Sequence, residues 1–247
     1  MRRNAEEIAK MRKAGRVVAE MHQRIRERIR PGVTTRDLDK VGREVIERRH
    51  ARSNFLGYHG FPAVICTSPN DVIVHGIPGK YRLQEGDIIS IDCGAIVEGY
   101  HGDSAWTHPV GEISDEARRL LAVTEQSLWK GLAAMREGNR LSDISHAVQE
   151  VAEAAGFSVV REYVGHGIGT AMHEEPQVPN WGPPGKGIRL HAGHVFAIEP
   201  MVNAGGTETR LLDDGWTVVT ADGSLSAHFE HTIAITDEGP EVLTAVG

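Results

Sequence analysis

The chain has 247 residues, 40% apolar and 25% charged, an ordinary composition for a globular protein that can bury a sizeable core. Its 27 basic against 34 acidic residues leave a formal net charge of -7, which argues against a nucleic acid or an anionic membrane held by bulk electrostatics. Two cysteines, Cys66 and Cys93, have no CxxC spacing, which disfavours a disulfide framework and makes a reducing cytoplasm the expected location.

The first predicted element is an amphipathic helix. Ile8, Met11, Ala14, Val18, Met21, Ile25 and Ile29 recur at three- and four-residue steps behind an Asn4-x-x-Glu7 capping box, and the pattern stops at Pro31-Gly32. No apolar segment follows the basic start "MRRNAEEIAKMRKAG", and no run approaches 18 apolar residues, so neither secretion nor membrane spanning is expected. A second helix starts near Thr35 and uses Leu38, Val41 and Val45; strand-like runs follow at "AVICTS", "DVIVHGI" and "DIISIDCGAIV". A third helix runs from Ser114 through Leu121, Leu128, Leu132 and Met135 to Gly138, and a fourth from Ser142 to Gly156. The remaining strand-like runs are "FSVV", "HVFAIEPMV", "WTVVT" and "HTIAIT". Helices packed on sheet follow, with no low-complexity linker.

Sliding the sequence against itself reveals a repeat. At a shift of 106, "RPGVTTRDLDKVGREV" lies on "REGNRLSDISHAVQEV"; at 107, "GYHGF" lies on "VGHGI", pairing His59 with His166, and "GDIISID" lies on "GHVFAIE", pairing Asp92 with Glu199. The identities are few, but their order is the same in both halves. Two related halves about a pseudo-twofold axis are expected, with Asp92 and Glu199 facing each other.

Two carboxylates lie in the strand-like segment "IISIDCGAIVEGYHGDSAW". An isolated buried carboxylate is costly enough to take up a proton instead. If "VEGY" turns the chain in a two-residue loop at Glu98-Gly99, residues whose numbers sum to an odd value share a face. Asp92 and Asp103 do, as opposed or diagonal neighbours about 5 to 8 Å apart. Glu199 ends "HVFAIE", and Glu230 sits in "SAHFEHTIAIT", so four carboxylates would point into one cleft and require cations or retained protons. Among 13 histidines, His166 stands between glycines in "VGHGIG", His173 follows seven residues later, and His75 ends the apolar run in "VIVHGIPG". An oxygen-rich set with one imidazole suits two ions such as Mn, Fe or Co better than a closed structural zinc site. "HEEPQ" is not HExxH, and "GHGIG" lacks the spacing and context of a dinucleotide-binding loop.

The combination "HGIP", "IDCGAIVEGYHGDSAWT", "GHGIG...HEEP", "AIEP" and "FEHTIAIT" closely resembles the type I methionine aminopeptidases in their short bacterial-like form, over essentially the whole chain. The resemblance implies an α+β pita-bread fold, helices packed on a curved, mostly antiparallel sheet, as one catalytic domain over 1–247 with halves of about 1–110 and 111–247. It implies two divalent metal ions held by Asp92, Asp103, His166, Glu199 and Glu230, with Glu199 handling protons and His75 and His173 contacting substrate and steadying the reacting carbonyl. Tyr58, His59, Phe61, Cys66 and Trp216 resemble the walls of the methionine pocket, with Met172 where relatives often carry an aromatic. Asn70, Val72 and Ser226 resemble backbone ligands of a monovalent cation. His228 stands where many relatives have Gln, and the resemblance gives it no role. The expected activity is removal of the initiator methionine from nascent chains when the second residue is small, by a monomer associating transiently with the ribosome. The alternatives are a related X-Pro peptidase, although the large N-terminal domain usual in those relatives is lacking, and a non-catalytic binding protein, although all five ligand positions are filled.

Overall fold

In a computed structural model, residues 2–245 are described. Helix α1, Ala5–Arg26, carries the predicted capping box: the Asn4 side chain accepts from Glu7 N at 2.9 Å, and Asn4 N donates to the Glu7 carboxylate at 2.9 Å. It buries Ile8, Met11, Ala14, Val18, Met21 and Ile25 along one face. The helix ends before Ile29, earlier than the periodicity predicts, because the chain turns through Gly32 at φ +91° and Gly32 N donates to Leu83 O.

Helix α2 spans Thr35–Arg48, α3 Asp115–Ala134 behind its Ser114 cap, and α4 Leu141–Ala154. Both ends of α4 lie 106 positions beyond those of α2, the shift found in the sequence. The isolated bridge Thr34↔Arg82 is matched by Arg140↔Arg189, and Gly32 and Gly138 carry φ of +91° and +92°. The predicted extension of α3 to Gly138 is not formed, since Met135 at ψ +67° already leaves the helical region.

The first half adds β1 (Arg52–Ser53), β2 (Ile65–Pro69), β3 (Val72–Val74), β4 (Ile88–Val97) and β5 (Tyr100–Pro109). Strands β1, β4 and β2 pair in that order, and β5 pairs with β4. The β4–β5 turn is the predicted two-residue loop: Val97 pairs with Tyr100, and Glu98 and Gly99 have φ of +51° and +82°, the left-handed pair that a hairpin of right-handed twist prefers. The second half contributes β6 (Ser158–Val159), β7 (Gly165–Gly167), β8 (Glu174–Val178), β9 (Val195–Ile198), β10 (Met201–Asn203), β11 (Thr209–Leu211), β12 (Val218–Thr220), β13 (Ser226–His228), β14 (His231–Thr236) and β15 (Gly239–Val242). Its five-stranded sheet runs β15-β14-β9-β7-β8, while β13-β10-β6 and β11-β12-β3 form smaller antiparallel sheets.

One predicted strand is broken: "HVFAIEPMV" divides into β9 and β10 at Glu199-Pro200, where proline supplies no N–H for a ladder, whereas "HTIAIT" forms β14 whole, separated from β13 by Phe229-Glu230 opposite that break. The paired strands bend together there. Each half has its own core: Val18, Met21 and Ile25 of α1 pack with Leu38, Val45, Ile65 and Ile91, and Leu120 and Leu128 of α3 pack with Ile144, Phe196, Ile198 and Ile233. This is the α+β pita-bread arrangement that the motifs imply.

Candidate metal centre and active site

The β4–β5 register fixes the first two acids. Asp92 pairs with Ala105 and Asp103 with Gly94, so the carboxylates are diagonal neighbours on one face. Cys66, opposite Asp92 on β2, lies on that face too. In the second half His166 pairs with Ala197 on β9, Glu199 directly follows β9, and Glu230 directly precedes β14, whose His231 pairs with Ile198. The two bends in the paired strands therefore present the two glutamates together.

Hydrogen bonds join the halves at this point. Glu230 N donates to Ala105 O at 2.8 Å, the Ser104 hydroxyl donates to Glu230 O at 2.7 Å, and the Thr232 hydroxyl accepts from Asp103 N at 3.0 Å while donating to Asp103 O at 2.8 Å. The donor atoms of Asp103, His166 and Glu230 lie within 4.8 Å of one another, and so do those of Glu199, His228 and Glu230. His166 Nδ1 lies 2.9 Å from the carbonyl of Gly167, an acceptor, so Nδ1 carries the proton and Nε2 presents a lone pair 3.5 Å from Glu199 Oε1.

Burial drives the electrostatics. It raises Asp92 to about 7 and Glu199 to about 8, and it pushes Asp103 and Glu230 well above the usual carboxylate range, the neighbouring carboxylates adding to the rise in both. The same burial lowers His166 to about 3 and His75 and His228 to about 4. The polar atoms also lack partners: Asp92 Oδ1, Asp103 Oδ1, Glu230 Oε1 and His228 Nε2 are buried without a hydrogen bond. Buried polar atoms are ordinarily paired, so unpaired oxygens beside a bare imidazole nitrogen fit divalent cations.

This donor set gives a testable pH dependence. A carboxyl whose pKa is raised on folding stabilises the fold fully below its unfolded value near 4, and that stability is lost as pH rises through about 7 to 8. Without divalent ions, Tm should fall between pH 5 and 9 as these groups ionise together. Cations replace the protons, so the Tm gain from saturating Mn or Co should grow with pH. Differential scanning fluorimetry across that range checks this, and a gain equal at pH 5 and pH 9 would contradict it.

A cavity of about 110 Å³ ends on the carboxylates and is walled by Phe55, Tyr58, Phe61, Cys66, His75, Met172, His173 and Trp216. The Phe61 and Trp216 rings meet edge to face at 5.1 Å, and the His75 ring stands 6.3 Å from Trp216. The Tyr58 hydroxyl lies 2.8 Å from His173 Nδ1, and the His173 ring lies 4.4 Å from that of His166. His59 does not line this cavity: it sits exposed in a tight turn at φ +46°, against Tyr58. Its sequence match to buried His166 carries no shared placement. Phe55 is a wall that sequence reasoning missed, since no motif marks it. His228, to which the resemblance gave no role, does not line the cavity but clusters with Glu199 and Glu230 behind it. Asn70, at φ +55°, accepts from Ser226 N at 2.9 Å, and Val72 follows on β3, so the three residues proposed around a monovalent cation are neighbours.

The profile of metallopeptidase family M24 matches residues 9–237. The chain belongs to this family. Methionine aminopeptidase 1 of Bacillus subtilis (strain 168) is 56% identical to this M24 chain over 240 residues, covering 97% of each. Methionine aminopeptidase 1 of Mycobacterium tuberculosis is 50% identical over 249 residues, covering 98% of this chain and 94% of its own. The crystal structure of methionine aminopeptidase from Thermotoga maritima superposes with a TM-score of 0.98 at 44% identity over the full length of both chains. Prolidase from Pyrococcus furiosus, with a TM-score of 0.79 at 19% identity, shares the fold and covers 66% of its own chain. An M24 metallopeptidase hydrolyses peptide bonds with divalent metal. No helix among the described residues is long and apolar enough to cross a membrane.

Proposed function

We propose that this M24 metallopeptidase removes the initiator methionine from nascent proteins, preferring chains with a small second residue. The observation that carries this reading is the narrow cavity, apolar and aromatic along its walls, that ends on four carboxylates and an imidazole. Such walls select a flexible thioether by shape, and the acids confine the reaction to the bond beside a free amine. Asp92, Asp103, His166, Glu199 and Glu230 would hold two divalent ions, Co, Mn or Fe among those suited to the set. When bound, such ions lower the pKa of water toward about 7 and act as Lewis acids.

The chain's own residues do the rest. Tyr58, Phe61, Cys66, Met172 and Trp216 enclose the methionine side chain, and Trp216 limits the second residue. Glu199 takes a proton from the attacking water and returns it to the leaving amine. His75 and His173 contact the scissile amide, His173 donating to its oxygen. Residues 1–247 form one catalytic domain of halves 1–110 and 111–247, working as a cytoplasmic monomer that meets its substrate at the ribosome. Asn70, Val72 and Ser226 supply carbonyls to one monovalent cation. Purified protein with Co or Mn should release methionine from Met-Ala-Ser and leave X-Pro dipeptides largely uncleaved. Intact Met-Ala-Ser, under conditions in which a control enzyme cleaves it, would end the reading.

A further inference from the structure

His228 has no function in the ligand set drawn from the motifs, yet it is 2% exposed and its ring clusters with the carboxylates of Glu199 and Glu230. Its backbone is held at both ends: His228 N donates to the Thr107 hydroxyl at 2.8 Å, while His228 O accepts from that hydroxyl at 2.9 Å. Pairing with Met201 completes its strand position. The ring is thereby aimed beside Glu199 and Glu230, and Nε2 is buried with no hydrogen-bond partner. Its nearest carboxylate oxygen, Glu199 Oε2, lies 3.5 Å away in a geometry that makes no hydrogen bond.

That spacing suits two ligands of one ion. Metal bonds of about 2.1 Å subtend an edge of about 3.4 Å between ligands in a tetrahedral set. His166 Nε2 and Glu199 Oε1 are also 3.5 Å apart, so Glu199 is flanked by one imidazole at each oxygen. The two clusters, Asp103–His166–Glu230 and Glu199–His228–Glu230, share Glu230 and hold one histidine apiece.

We propose that His228 Nε2 is a sixth metal ligand of this cleft, giving each of the two ions one imidazole. The inference rests on reading the cleft as a two-ion centre. A nitrogen at both positions favours Co, Fe and Zn over the harder Mg and Mn, for which oxygen donors suffice.

X-ray absorption of the wild-type protein loaded with two equivalents of Co(II) tests this without any variant. One imidazole per Co is expected, and one imidazole per two Co would overturn the assignment while leaving the two-ion centre intact. Isothermal titration of His228→Gln should then show one Co equivalent loosened about 10- to 100-fold and the other nearly unchanged. Unchanged affinity for both equivalents would also overturn it. Binding of no Co by the wild-type protein would instead refute the two-ion reading, and the assignment with it.

Discussion

Replacing Asp103 with Asn will reduce kcat/KM on Met-Ala-Ser by at least about 100-fold, because loss of an outer-shell partner alone costs about 10- to 100-fold and this residue is itself a proposed ligand. The same change should stabilise the metal-free protein at pH 8. Asp103 is buried beside Asp92 and Glu199, which with burial push its carboxyl well above the usual range, so ionising it opposes folding. A neutral amide of nearly the same shape removes that cost. By linkage, a raised carboxyl pKa means stability held at low pH and lost as pH rises, so the variant's advantage should vanish near pH 4. Thermal melts in EDTA at pH 4 and pH 8, with metal content by mass spectrometry, separate the effects. A variant that is less stable than wild type at pH 8 without metal would show that Asp103 serves the fold instead.

Several parts of this centre were legible in the sequence for definite physical reasons. Strand alternation and a two-residue turn put Asp92 and Asp103 on one face, and the structure resolves the remaining choice as diagonal, through Asp92↔Ala105 and Gly94↔Asp103. The shift of 106 carries α2 onto α4 end for end, but the sequence reading of that helix as Ser142 to Gly156 overruns its end at Ala154, since Gly156 at φ +80° lies beyond the cap. What escaped depends on long-range geometry. The run "HVFAIEPMV" reads as one apolar strand, and only pairing against β13 and β14 shows that both strands bend at Glu199 and Glu230. His59 and His166 share a His-Gly sequence, yet Gly57 at φ +84° and Gly60 at φ +89° turn the first outward, whereas pairing to Ala197 holds the second inside. Phe55 reaches the cavity through tertiary packing with Phe61, Ala63 and Cys66, which no spacing rule encodes.

Replacing His173 with Ala should lower kcat about 10²- to 10³-fold with metal content unchanged, the cost of removing one donor to a developing oxyanion, about 3 to 4 kcal/mol. Tyr58 sets the tautomer of this ring. Burial, and then the charge of Asp103, raises the phenol's pKa, so its hydroxyl keeps its proton at neutral pH. That hydroxyl lies 2.8 Å from His173 Nδ1; donating to it assigns the ring's proton to Nε2, the nitrogen free to serve a substrate oxygen. Burial also lowers the His173 pKa, and His59 adds to the fall, so the ring is a neutral donor above pH 7. The loss in His173→Ala should consequently be constant from pH 7 to 9, since no ionisation of the ring is removed within that window. Tyr58→Phe should lower kcat by a smaller factor, because the donor remains but its tautomer is no longer enforced. Steady-state rates across the pH range, with ion content measured on the same samples, decide the matter. A loss confined to KM, or one that tracks lost metal, would assign His173 to binding or to the ion site.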